Sequence, residues 1–177
     1  QILQTLNDLS ANPDSNTNKT LKAIDEFLQS TLGLKDPGTI LTESQTESLA
    51  SILDNMLKYA SITDCKLQTE FSKLLMNSSI DYLNLISTSF LQNKITNENA
   101  SLITTINFDI LVGKYTECAL TSNNFSASDD APSITLHAKS SDNLDCTKEL
   151  TLVYYAINSN LFNCENANVS KSVVSLE

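Results

Sequence analysis

The sequence predicts an α+β fold: an amphipathic helical bundle over residues 1–98 followed by an antiparallel β-sheet or sandwich over 99–177. Two observations carry that prediction. Apolar residues recur at helical spacing up to about 96–101 and alternate beyond it, as they do in half-buried strands. Three of the four cysteines, Cys118, Cys146 and Cys164, fall after the change, and only Cys65 precedes it.

Taken in order, Ile2, Leu3, Leu6 and Leu9 already have helical spacing. Leu21, Ile24, Phe27, Leu28 and Leu32 form one apolar face, preceded by the cap-forming Asn16, Thr17 and Asn18 and closed by Gly33, which predicts a helix over 18–32. Lys35-Asp36-Pro37-Gly38 is turn chemistry. Thr42 with Gln45 makes a capping-box pattern, and Leu49, Ile52, Leu53, Met56, Leu57 and Ala60 continue it as an apolar stripe. A third face of Leu67, Phe71, Leu74, Leu75, Tyr82, Ile86 and Phe90 reads as one long helix or as two broken near 77–79. Such stripes are expected to bury against one another as a small bundle.

Past the switch, Ile106, Phe108, Ile110 and Val112 alternate with Asn107 and Asp109, predicting a strand that ends at Gly113 with Asn107 outward. Further strands are expected over 115–120, 133–138, 149–157 and 169–176, separated by turn clusters such as Ser122-Asn123-Asn124 and Ser128-Asp129-Asp130-Ala131-Pro132. Antiparallel pairing follows from strands spaced by short polar loops. The strand-like run at 169–176 reads as cut off, so the chain is expected to be an excerpt of a longer one and its sheet incomplete.

A formal charge of −10, from 21 acidic and 11 basic residues, argues against polyanionic partners. Every basic residue is a lysine. Bidentate recognition of phosphate or guanine uses the planar guanidinium, so nucleic-acid and nucleotide binding are not expected, nor is an anionic membrane surface. No run approaches the roughly 20 apolar residues of a bilayer span, so no membrane span is expected within this segment.

The cysteines lie too far apart for a zinc site, and Cys-x-x-Cys is absent, so neither a metal nor redox catalysis is indicated. The single histidine, His137, falls opposite the apolar Ile134 and Leu136 and reads as solvated. With no catalytic constellation and no cofactor signature, the chain is not expected to be an enzyme. Carboxylate pairs such as Asp129-Asp130 or Asp142 with Asp145 read as turn residues rather than acid/base or calcium sites. Structural disulfides are the expected use of the thiols. The favoured pairing joins Cys146 to Cys164 across the return of the 149–157 strand, leaving Cys65 to join Cys118. Four reduced thiols in an intracellular protein are the alternative.

Five triplets fit Asn-x-Ser/Thr, at Asn18, Asn77, Asn99, Asn124 and Asn168, and are candidate glycosylation sites. With 19 asparagines and 41 serines and threonines in 177 residues, about four such triplets arise by chance, so placement matters more than number. Asn18 precedes a helix, Asn99 lies at the junction, Asn124 in a turn cluster and Asn168 before a strand, whereas Asn77 would sit inside a continuous helix.

Ser/Thr/Asn-rich helices, a junction, the strand Ile106-Asn107-Phe108-Asp109-Ile110 and loop-separated strands ending in Val173-Val174-Ser175-Leu176 occur in an order that resembles the GAIN domain of adhesion receptors and polycystin-like proteins. The resemblance implies an extracellular helical subdomain with the first strands of a β-sandwich. That family's self-cleavage tripeptide has no counterpart, since His137 is followed by Ala138-Lys139 and tryptophan is absent, so no catalytic residue carries over. The expected function is a non-catalytic extracellular or cell-surface module that contacts other protein chains or neighbouring domains. An intracellular helical interaction domain is the alternative.

Overall fold

The computed structural model describes residues 1–11, 18–32, 39–62, 70–120, 124–125, 134–135, 145–157 and 172–176. Four helices come first, α1 Ile2–Ala11, α2 Asn18–Thr31, α3 Glu43–Ile62 and α4 Glu70–Gln92. They are followed by β1 Ser101–Thr104, β2 Phe108–Thr116, the short α5 Glu117–Leu120, β3 Asn124–Phe125, β4 Ile134–Thr135, β5 Glu149–Ile157 and β6 Ser172–Leu176. The protein is therefore α+β, with its first four helices ahead of its sheet.

Helix α3 begins where the capping box sets it. The Thr42 amide donates to Gln45 Oε1 at 2.9 Å and the Gln45 amide returns to Thr42 Oγ1 at 3.4 Å, so two otherwise unpaired donors are satisfied reciprocally. Its stripe of Leu49, Ile52, Leu53, Met56 and Leu57 is fully buried, each side chain contributing about 2 kcal/mol of apolar transfer. On α2, Leu21, Ile24 and Leu28 are buried as the spacing requires, but Phe27 is 41% exposed at the margin of the face.

Helix α4 runs unbroken through 77–79. Ser79 Oγ donates to the Leu75 carbonyl at 2.5 Å, and the single hydroxyl hydrogen of Ser78 goes to Asp25 Oδ1 on α2 at 3.0 Å, so hydroxyls that favour breaks elsewhere are satisfied with the helix intact. After Gln92 the chain turns through Asn97, which holds a left-handed φ of 65°, a conformation asparagine tolerates better than most residues.

The main sheet has the order β1-β2-β5-β6 with every neighbour antiparallel, and β3 pairs with β4 in a separate two-stranded ribbon. The structure departs from the sequence-based expectation at three places. β2 does not end at Gly113 but continues to Thr116, with Gly113 opposite Leu152. The Tyr115 ring folds over this glycine so closely that an added Cβ would lie 2.5 Å from its Cε2 atom, and the glycine makes room for the ring. The expected strand over 115–120 divides accordingly, its first two residues finishing β2 and the rest forming α5.

The third correction lies in the β1–β2 hairpin, where β1 was not foreseen. Ile106 is 74% exposed and Asn107 only 5% exposed, the reverse of the predicted alternation, because both belong to the turn and the period of two starts at Phe108. β5 occupies the expected 149–157. β4 and β6 fall within the expected runs 133–138 and 169–176, whose remaining residues lie outside those described.

Alternate residues of the sheet enter two cores. Phe108, Ile110 and Val112 of β2 and Tyr155 of β5 join Leu21, Leu53, Met56, Leu83 and Ile86 in one cluster that crosses from the helices into the sheet. Leu111, Tyr115, Leu152 and Tyr154 face the other way and pack with Leu120 of α5. The near-continuous apolar character of 108–112 follows from this burial on both faces.

Candidate functional site at the helix–sheet junction

Among the described residues, two polar assemblies lie at the ends of β2. At one end, Asn107 is held against α3. Its amide donates to Asp54 Oδ1, and its Nδ2 donates to both Oδ1 and the carbonyl of Asp54, all at 2.9 Å. At the opposite end of β2, the Asn97 amide donates to the Lys114 carbonyl at 2.7 Å, and Asn97 Oδ1 accepts the Thr116 amide at 2.9 Å. Thr96 Oγ1 donates to Glu149 Oε2 on β5, and Lys94 Nζ donates to the Asn99 carbonyl at 3.1 Å.

Two residues beyond Thr116 comes the disulfide. Cys118 and Cys146 are joined with alpha carbons 5.0 Å apart at a sequence separation of 28. Both predicted pairings, Cys146 with Cys164 and Cys65 with Cys118, are thereby overturned. The physical reason is register: Thr116 and Glu149 are the last partners of β2 and β5, and the Glu117 amide extends the ladder to the Lys148 carbonyl at 3.0 Å. Cys118 and Cys146, just outside that pair, are brought face to face by the strands. Cys65 and Cys164 lie outside the described residues.

The turn before β5 is organised by Asp145, whose Oδ1 accepts from Thr147 Oγ1 at 2.6 Å and from the Thr147 amide at 2.9 Å. The Thr147 hydroxyl first, and its amide second, hold the carboxyl below the usual aspartate range. The Asp145 amide in turn donates to Glu117 Oε2 at 3.2 Å. Asp145 is thus a turn residue; Asp129, Asp130, Asp142 and His137 lie outside the described residues. Among the described residues no group of three His, Cys, Asp or Glu side chains is placed to hold a metal ion. Among the described residues no helix is long and apolar enough to cross a membrane.

A third polar assembly is buried between α2 and α4. Asp25 accepts from Tyr82 Oη at 2.6 Å and Ser78 Oγ at 3.0 Å on Oδ1, and from Gln29 Nε2 at 2.7 Å on Oδ2. Burial, reinforced by the Asp25 carboxylate, pushes the Tyr82 phenol far above its ordinary range. Burial likewise raises Tyr115 and Tyr155. Asp25 and Asn97 are not singled out by the sequence, and Asn107 is expected outward on a strand rather than buried against α3. Asp25 alone carried a signal, since it follows Leu21 and Ile24 and precedes Leu28 at the spacing of the buried face.

The candidate glycosylation sites are distributed differently. Asn99 is exposed in the turn between α4 and β1. Asn18 is the first residue of α2, Asn124 the first of β3, and Asn168 lies outside the described residues. Asn77 sits within α4, where Ser78 and Ser79 of its triplet are buried. No protein-family model and no curated protein matches this chain.

Proposed function

We propose that this chain is a non-catalytic structural and interaction module of a larger cell-surface or secreted glycoprotein, arranged like the ectodomain of a polycystin-like protein or an adhesion receptor. The observation that carries the reading is the Cys118–Cys146 disulfide, because such bonds persist where thiols are not kept reduced. The polar groups of the junction support it too. The side chains of Asn97, Asn107 and Asp145 each satisfy a backbone amide or carbonyl at the joints of the fold. The competing reading, an intracellular helical interaction domain, requires an apolar stripe open to a partner helix. The α3 stripe is committed to the protein's own core.

The test is secretion of the chain from a eukaryotic host, followed by peptide mapping without reductant and glycosidase treatment. A Cys118–Cys146 cross-linked peptide and at least one glycosylated asparagine are expected. Reduced thiols together with five unmodified triplets would overturn the proposal.

A further inference from the structure

Strand β1 is an edge of the main sheet, and among the described residues no strand pairs with its outer side. The Thr105 amide donates to the Phe108 carbonyl, so alternation along the strand turns the backbone groups of Leu102 and Thr104 outward, and both residues are exposed. Leu102 is 46% exposed. Proteins blunt such an edge with charge, proline, a bulge or a covering segment, since open backbone groups template pairing with another chain. The β1 sequence Ser-Leu-Ile-Thr contains no charged residue and no proline, and its register with β2 is continuous over all four residues. What stands beside it is the triplet Asn99-Ala100-Ser101, whose exposed asparagine is two residues before the strand and whose serine is the strand's first residue.

We infer that Asn99 carries an N-linked glycan whose role is to shield the β1 edge from strand addition by a second copy of this chain. The inference rests on the extracellular reading above. A four-residue strand is only about 13 Å long, within the sweep of a branched oligosaccharide attached at its N-terminal end. The glycan's anchor is rigid, because Asn97 is bonded to Lys114 and Thr116 and Lys94 holds the Asn99 carbonyl.

The experiment uses the full chain secreted from a glycosylating host. Occupancy of Asn99 is read by peptide mass after enzymatic release of the glycan, and association by light scattering over a concentration series. The glycosylated protein is expected to stay monomeric. Asn99→Gln, and separately the folded native protein after glycosidase treatment, should shift to dimers and larger species with a gain of intermolecular β signal in the infrared. Adding Leu102→Lys to Asn99→Gln places a charge on the edge and should restore the monomer. An empty Asn99 with Asn18 or Asn124 occupied would sink the shield and leave the extracellular reading standing. Monomeric Asn99→Gln protein, or association indifferent to Leu102→Lys, would also overturn it, and five empty triplets with reduced thiols would remove both readings.

Discussion

Asn107 and Asp54 are joined by three hydrogen bonds of 2.9 Å that fasten the tip of the β1–β2 hairpin to the middle of α3. Asp54→Ala would remove the carboxylate that accepts the Asn107 amide and one Nδ2 bond while the backbone carbonyl of residue 54 keeps the other, at about 1–3 kcal/mol. Asn107→Ala should cost a similar amount. The double substitution should cost less than the sum, a coupling that urea unfolding of the four proteins measures.

Gly113→Ala is expected to destabilise the sheet by about 1–3 kcal/mol, since its methyl group would meet the ring of Tyr115, itself buried. Adding Tyr115→Leu should recover part of that loss by removing the obstacle. Thermal unfolding of the single and double variants distinguishes this contact from a general intolerance of side chains in the middle of β2.

Tyr82, Tyr115 and Tyr155 have phenols raised by burial above their ordinary value of 10.0. A raised folded-state value means that the unfolded chain loses these protons first. The associated stability is therefore complete below about pH 10 and falls as pH rises above it. Ultraviolet titration should show these three ionising together with loss of the helical circular dichroism signal. Their ionisation in the intact fold would contradict the burial. Tyr82→Phe removes a donor from buried Asp25 and should cost about 1–3 kcal/mol.

Removing the Cys118–Cys146 bond releases a loop spanning 28 positions, which the chain-entropy treatment values at roughly 3–4 kcal/mol. The Cys118→Ser, Cys146→Ser protein should unfold at correspondingly lower denaturant while retaining its helical signal. The helices share their buried cluster with β2 and β5 rather than with the cysteines. Non-reducing peptide mapping of the native protein checks the pairing directly.

What could be read from the sequence was whatever local pattern decides. The Thr42–Gln45 box and the stripe from Leu49 to Leu57 defined α3, and alternation bounded β5 at Glu149 and Ile157. Ile106 and Asn107 deceived because a hairpin turn next to a strand can imitate its period, and only the partner Asp54, 53 positions away, turns Asn107 inward. The cysteine pairing was illegible for the same kind of reason. It depends on β2 lying beside β5, a choice made by two cores and not by the spacing of the cysteines themselves.

The place of the disulfide, just beyond the last rung between Thr116 and Glu149, also dates it within the life of the molecule. β1 and β2 are neighbours along the chain and can zip as a hairpin early, whereas β5 is separated from β2 by residues 117–148 and pairs in a slow, non-local step. Until β5 arrives, the two thiols have no reason to meet. Under an added disulfide oxidant that takes up the two electrons, closure of the Cys118–Cys146 bond is therefore a clock for the docking of β5. Trapping thiols at intervals during refolding would time the sheet's completion in a chain that needs no added probe.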